Sequence, residues 1–188
     1  MPITTGGGAK LEVEQAPPLI VSSYVSGTTL PYRSERFPVW RVSCREGEPL
    51  DYWRGLSSVW DEPFTLLVRE HDVICDDGRI AELYESKWPL ATVPYLLHWP
   101  STHKPSPQYA QRHNPPANCR RENLYLGAPI SEGVEWCEFS GLGLVKIAPE
   151  CRVGALAESH WSHLDCAVSA AIVGRWRVLW PEVEHDHY

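Results

Sequence analysis

The triplet Glu70-His71-Asp72 places two carboxylates and an imidazole immediately after the apolar run FTLLV. The same three residue types recur near the C-terminus as Glu184-His185-Asp186, followed by His187. Carboxylate oxygens and imidazole nitrogens are ligands that Mn²⁺, Mg²⁺ and Zn²⁺ accept. On a strand, His185 and His187 point to the same face. The first triplet alone could be a solvated strand end, but the second triplet favours a metal site for Mn²⁺ or Mg²⁺ whose ligands are Asp72, His185 and His187.

The segment HWSHLD, residues 160–165, offers a second set of chemically active groups. His160 and His163 could join His185 and His187 in a zinc site, although a helical spacing of three without a cysteine pair matches structural zinc patterns only loosely. Asp165 has two interpretations. It is either an acid that the helix dipole favours in a first turn or a general base for an attacking hydroxyl.

The alternation of strands and helices along the chain predicts an α/β fold, with a mainly parallel, twisted sheet flanked by helices. In such sheets the ligand lies beyond the carboxyl ends of the strands, where Glu70 to Asp72 would stand. Apolar and β-branched runs predict strands at 19–25, 39–44, 64–75, 91–99, 124–128, 134–147 and 175–180. Helical spacing predicts helices within 48–60, 76–88 and 152–173.

Two stretches of the chain lack the pattern of a strand or a helix. Residues 1–16 are predicted to be a flexible tail, which leaves 17–188 as one domain. Residues 100–122 are rich in Pro, Asn and Ser, as in active-site lids or disordered loops. This loop also has a dense cluster of positive charge, which could contact phosphate: Lys104, Arg112, Arg120 and Arg121. The Gly141-Leu142-Gly143 break predicts a bulge or a close approach of the backbone to a ligand.

Composition excludes several classes of protein. The 188 residues are 43% hydrophobic and 22% charged, which is typical of a folded globular domain. The net charge of −7 disfavours binding to duplex nucleic acid, which requires a basic face. No apolar run reaches the roughly 18 residues that span a bilayer, so we expect a cytoplasmic protein. The six cysteines form no C-x-x-C pair, which predicts reduced, mostly buried thiols.

The order of these motifs resembles small bacterial and phage glycosyltransferase-like proteins of the GT-A type, whose compact fold is Rossmann-like. The resemblance covers roughly residues 39–188 and lies in the succession DYWRGLSSVW, FTLLVREHD, FSGLGLVKIAPE, HWSHLD and WPEVEHDHY. It implies transfer of a sugar from a nucleotide-diphosphate donor to a hydroxyl acceptor, with a divalent metal as cofactor. The identities of the donor sugar and the acceptor stay open.

Carried over by position, the resemblance implies a role for each matching residue. Asp72 corresponds to the main metal-binding carboxylate, Glu70 to the first acid of the motif, and His185 and His187 to the closing ligands. Asp165 corresponds to the acceptor-side acid. Further donor contacts are assigned to Gly141 and Gly143 near the sugar and, from their position at the end of the first strand, to Ser22, Ser23 and Tyr24.

Two departures from the family keep other functions open. The acidic motif begins with Glu rather than Asp, and only about 50 ordered residues precede it. A catalytically inactive GT-A-like domain, or an acidic interaction protein such as an immunity or inhibitor protein of a mobile element, is therefore the main alternative. A metal-dependent hydrolase that uses the same ligands is a second.

Overall fold

A computed structural model describes residues 15–97, 108–113 and 128–185 of the chain. Its helices are α1 (Asp51–Ser57), α2 (Asp77–Glu85) and α3 (Leu164–Ala171). Its strands are β1 (Pro18–Val25), β2 (Val39–Cys44), β3 (Thr65–Arg69), β4 (Val73–Ile74), β5 (Leu90–Thr92), β6 (Leu96–Leu97), β7 (Gln108–Tyr109), β8 (Arg112–His113), β9 (Ala128–Pro129), β10 (Trp136–Cys137), β11 (Leu144–Ile147), β12 (Trp176–Val178) and β13 (Glu184–His185).

Seven strands form the central sheet in the order β10-β12-β5-β11-β3-β1-β2. The pairs β1–β2, β1–β3 and β5–β12 are parallel, and the pairs β3–β11, β5–β11 and β10–β12 are antiparallel. Five strands therefore run in one direction, and β10 and β11 run against them. The fold is a mixed α/β domain with a largely parallel sheet, which confirms the predicted class at that level.

Both faces of the sheet are covered by apolar packing. Alternate residues of β1 and β3 enter opposite layers: Leu19 and Leu66 pack with α1 and α3, whereas Ile20 and Leu67 pack with α2. This explains why FTLLV is apolar apart from Thr65, since an interior strand covered on both faces has no solvent side. The strand that leads to the Glu70-His71-Asp72 triplet is thus fixed from both sides.

Several predicted elements are present with shorter or divided bounds. The predicted helices at 48–60 and 76–88 correspond to α1 and α2, and the side chain of Asp76 caps α2 by accepting from the Arg79 N–H at 2.8 Å. The predicted strand 64–75 is divided into β3 and β4 by a turn at residues 70–72. Within the predicted loop 100–122, residues 108–113 contribute the short strands β7 and β8, and the rest lies outside the described residues.

The predicted helix over 152–173 is wrong for residues 152–160 and 172–173. Only α3 and a 3-10 turn at Trp161–His163 are helical. The reason is a local pairing of backbones: the Val153 N–H donates to the Ala171 carbonyl at 3.0 Å, and the Val173 N–H donates to the Cys151 carbonyl at 2.8 Å. Residues near 153 therefore bind the end of α3 in extended form.

Two predictions from composition are also decided by the fold. Cys166 is disulfide-bonded, so the prediction of reduced cysteines is wrong for that residue. Cys44, Cys75, Cys137 and Cys151 are free thiols. Among the described residues, the helices are all too short and too polar to cross a bilayer.

A buried lysine ties α2 to the sheet. Lys146 on β11 is 2% exposed, and its Nζ donates to the carbonyls of Tyr84 and Ser86 at 2.7 Å each. These carbonyls belong to the end of α2, where no further helical N–H is present to pair with them. Burial lowers the pKa of Lys146 to about 8, and the two carbonyls favour the charged form that burial opposes.

We expect the Lys146→Met variant to lose about 1–3 kcal/mol of unfolding free energy at pH 7, because both carbonyls then lack their donor. Urea unfolding followed by tryptophan fluorescence measures the loss. Lys87→Met, which removes an exposed lysine from the same region, is the matched control and should change stability by less than about 0.5 kcal/mol. Equal effects of the two substitutions would contradict this role for Lys146.

Candidate metal centre and cavity

The Glu70-His71-Asp72 turn is held at the carboxyl end of β3 by three backbone contacts. The Glu70 N–H donates to the Gly143 carbonyl at 3.0 Å, the His71 N–H donates to Ser23 Oγ at 3.1 Å, and the Val73 N–H closes the turn on the Glu70 carbonyl at 3.3 Å. The neighbouring strands therefore fix the backbone that carries both acids.

The C-terminal triplet reaches the same place through strand pairing. β13 pairs antiparallel with β4, which sets His185 opposite Val73 and Glu184 opposite Ile74. Successive side chains of a strand point to opposite faces, so His185 turns inward while Glu184 stays exposed. The two triplets, separated by more than 100 residues in sequence, are thereby adjacent in the fold.

Three groups converge at this point with the spacing of a metal site. His185 Nε2 lies 3.2 Å from Asp72 Oδ2 and 4.0 Å from Glu70 Oε2, and one ligand atom from each residue lies within 4.8 Å of the others. The side chains are 3%, 15% and 27% exposed for His185, Asp72 and Glu70. Two carboxylates and one imidazole are a suitable ligand set for a divalent cation. The predicted convergence of Asp72 with a C-terminal histidine is confirmed.

Tyr95 supports the imidazole of His185. It lies just beyond the carboxyl end of β5, is 4% exposed, and stacks on His185 with ring centroids 4.6 Å apart and 16° between the planes. Burial raises the pKa of Tyr95 well above its usual value, and the charge on Glu70 adds to this effect. The phenol therefore stays neutral and acts as a flat wall that sets the plane of the ligand.

Gly141 and Gly143 leave the space that this tyrosine occupies. A Cβ on Gly143 would lie 2.4 Å from Tyr95 Cε1, and one on Gly141 would lie 2.1 Å from the Tyr95 hydroxyl. The sequence predicts a close approach here. In the structure the approaching group is the Tyr95 ring, and no sequence pattern indicates a role for Tyr95.

Asp165 lies in the first turn of α3, where the helix N-terminus favours a carboxylate. Burial nevertheless raises the pKa of Asp165 to about 7, and the charge on Glu70 contributes in the same direction. Desolvation and the charge on Glu70 thus outweigh the hydrogen bond that Asp165 Oδ1 accepts from the Cys166 N–H at 2.8 Å. A carboxyl group with such a pKa can accept and release protons near neutral pH.

The surroundings of Glu70 in the metal cluster disfavour its ionised form. Burial raises its pKa, the charge on Asp72 adds to the increase, and the hydrogen bond with His185 opposes it. Like charges in a shared site disfavour joint ionisation. The cluster would therefore gain from a cation that stabilises both carboxylates.

A cavity of about 970 Å³ joins the metal cluster to Asp165. It opens at the carboxyl ends of β1, β2, β3 and β5, beside the start of the antiparallel strand β11. Its wall includes both acids of the triplet, His185, Tyr95, Asp165 and the segment 160–162. This volume lies at the upper end of the range of about 300–1,000 Å³ that is usual for small-molecule sites.

The remaining candidates fall in different places. Gly141 lines the cavity, whereas Ser22, Tyr24 and Gly143 do not. Ser22 is buried and accepts from Arg69 at 3.3 Å, and the alternation along β1 turns Ser23 into the cavity instead. Arg112 of the basic loop is buried in the cavity wall. His187 lies outside the described residues, as do Lys104, Arg120 and Arg121.

The zinc alternative receives no support within residues 15–97, 108–113 and 128–185. Among these, the potential metal cluster contains Glu70, Asp72 and His185 and neither histidine of the 160–163 segment. His160 instead caps the turn that follows it, since its Nδ1 accepts from the Ser162 N–H at 3.2 Å.

We expect the Gly143→Ala variant to lose about 1–3 kcal/mol of unfolding free energy, because the new methyl group overlaps the Tyr95 ring. Gly154→Ala is the matched control, since its Cβ would meet only Ala171 Cα at 3.8 Å. In a Tyr95→Ala background the cost of Gly143→Ala should shrink, and urea unfolding of the four proteins of the cycle measures the coupling. Additive losses would argue against the contact.

Ionisation of the buried Asp165 carboxyl should reduce the free energy of unfolding as pH rises. Its folded pKa of about 7 lies above the ordinary value of 3.8, so between about pH 4 and 7 the folded state retains a proton that the unfolded state has lost. Stability therefore falls across this range. The Asp165→Asn variant should exceed the wild type by roughly 1–3 kcal/mol at pH 8, and by much less at pH 4.5.

Unfolding curves in urea at pH 4.5, 6 and 8 measure this difference. Glu158→Gln, an exposed acid outside the cavity wall, is the control and should track the wild type. A constant offset of Asp165→Asn at all three pH values would show that the carboxyl does not titrate in this window.

Comparisons with known proteins add little to this geometry. The chain matches no protein-family model, and no curated protein is similar to it in sequence. Among solved structures it is similar to A197 from STIV, with 12% identity and a TM-score of 0.48 over 87% of this chain and 81% of A197. A likeness of this degree carries no argument about function.

Proposed function

We propose that this protein is a metal-dependent glycosyltransferase that moves a sugar from a nucleotide-diphosphate donor to a hydroxyl acceptor. The observation that carries the proposal is the joint presence of a metal-ligating cluster and a separate acid of raised pKa on one cavity wall. These are the two kinds of group that the reaction requires: positive charge for the leaving diphosphate and a base for the attacking hydroxyl.

Asp72, Glu70 and His185 would hold the divalent cation, Mn²⁺ or Mg²⁺. When bound, the cation supplies positive charge that neutralises the diphosphate of the donor as it leaves. The need is strong in this protein, because the chain has a net charge of −7 and five carboxyl groups already line the cavity: Glu46, Glu48, Glu70, Asp72 and Asp165. Without a cation, an anionic donor would be repelled by Glu70, Asp72 and Asp165.

Asp165 is the proposed base. It belongs to the wall of the cavity but not to the metal cluster, and this separation suits its role because a carboxylate bound to a cation loses much of its basicity. In the reaction, Asp165 accepts the proton of the acceptor hydroxyl while that oxygen forms a bond to the anomeric carbon. The bond from that carbon to the diphosphate breaks, which inverts the anomeric centre.

The donor side of the cavity is formed by the end of β1 and the loop after β2. Ser23 lines the cavity at the end of β1, and Arg112 of the basic loop lines the same cavity from β8. Guanidinium groups suit phosphate recognition, and this placement supports the expectation that the basic loop meets the donor. It also makes Ser23 a better candidate than Ser22 or Tyr24 for a donor contact.

Metal-dependent nucleotide binding gives the first test. Thermal melts with Mn²⁺ and UDP, GDP, CDP or dTDP should show stabilisation by one nucleotide only when the metal is present. At about 100 times the dissociation constant, binding adds about 2.7 kcal/mol, and each kcal/mol raises the Tm of a chain of this size by about 2–4 °C. The expected shift is therefore on the order of 5–10 °C, and EDTA should abolish it.

Two isosteric variants separate the roles of the acids. Asp72→Asn should remove the metal-dependent shift, whereas Asp165→Asn should retain it and remove turnover. Glu184→Gln, beside His185 but exposed, should behave like the wild type in both assays. Stabilisation by nucleotide that is independent of metal, or intact in Asp72→Asn, would refute the shared site.

The same assays distinguish the alternatives. A hydrolase would release free sugar from its substrate without any added acceptor, and it would do so through the same ligands. An inactive or interaction protein would show no metal-dependent stabilisation by any of the four nucleotides.

A further inference from the structure

One exposed aromatic side chain lies in the cavity wall. Trp161 is 61% exposed and lines the cavity together with Asp165. Six large apolar side chains are the most exposed in the described part of the chain, and among these six Trp161 lines the cavity. The others lie elsewhere on the surface: Leu30, Trp40, Ile74, Val153 and Val173. An indole face open to a cavity is suited to contact a ligand ring.

The backbone of Trp161 is fixed on both sides. Its N–H donates to the Pro49 carbonyl at 2.9 Å, which fastens it to the loop after β2. The 3-10 turn that it begins leads directly into α3, whose first turn contains Asp165. The indole and the proposed base therefore belong to one continuous helical segment.

Polar groups flank the indole. His160 and Ser162 also line the cavity, and the imidazole of His160 lies 5.6 Å from the indole between ring centroids. His160 Nδ1 accepts from the Ser162 N–H, so a neutral His160 has its proton on Nε2. That N–H can donate to a ligand hydroxyl.

We propose that Trp161 is the stacking platform of an acceptor subsite, and that the acceptor is a pyranose. A pyranose has an apolar face of ring C–H groups that packs on an aromatic ring, and a rim of hydroxyls that need both donors and acceptors. The His160 Nε2–H and the Asp165 carboxyl supply these. A nucleobase would also stack on an indole, but it offers no alcohol from which Asp165 could accept a proton.

This inference rests on the proposed function for the identity of the acceptor, but its test does not. Saturation-transfer NMR would be recorded on the whole protein with methyl β-D-glucopyranoside, methyl β-D-galactopyranoside and methyl α-D-mannopyranoside, in EDTA and without nucleotide. At least one glycoside should show transfer that is strongest at the ring protons of one face. Uridine and guanosine serve as comparison ligands.

Substitutions then assign the signal to Trp161. Trp161→Ala should weaken binding of that glycoside about tenfold, whereas Trp161→Phe should restore most of it. Trp40→Ala removes an exposed indole from the edge strand β2, outside the cavity, and should leave binding unchanged. Because these spectra are recorded in EDTA and without nucleotide, a failed metal site and a failed acceptor subsite give different results.

Three outcomes would overturn the inference. Binding of none of the glycosides to the wild type is the first, and glycoside binding that persists in Trp161→Ala is the second. Binding of a nucleoside alone, lost in Trp161→Ala, would assign the indole to the donor base instead. Because Trp161 is exposed, its substitution should change the unfolding free energy by less than about 0.5 kcal/mol, and a urea unfolding curve checks that each variant is folded.

Discussion

Electrostatic repulsion among carboxyl groups at one edge of the sheet is the constraint on which the candidate site depends. Glu70 and Asp72 share a partly buried turn, and Asp165 faces the same cavity. Burial raises the pKa of both Glu70 and Asp165. His185 is the basic member of the described cluster. Its contacts with Asp72 and Glu70 offset part of their repulsion. A cation would relieve the remaining repulsion.

The sheet supplies this arrangement through the direction of its strands. Parallel strands β1, β3 and β5 deliver Ser23, the acidic turn and Tyr95 to one edge, where Gly141 and Gly143 lie just before the antiparallel β11. The two glycines admit Tyr95, and Tyr95 in turn stacks on His185. The packing of Tyr95 against the two glycines thus sets the orientation of His185, a candidate metal ligand.

Residues of different chemistry line the one cavity. Its wall contains the ligand set for a hard cation, two arginines, the indole of Trp161, the imidazole of His160 and the carboxyl of Asp165. Such a mixture would suit the proposed reaction between an anionic and a neutral substrate.

The sequence by itself determined the class of fold, the strand that ends in the acidic triplet and the chemistry of its ligands, because periodicity and residue type are local properties. It also suggested that the two triplets meet. Only the tertiary structure decided that Glu70 joins Asp72 and His185 in the metal cluster, that Ser23 rather than Ser22 enters the cavity, and that Tyr95 fills the space beside Gly143. Those outcomes depend on strand register and on packing between residues distant in sequence, which no local pattern encodes.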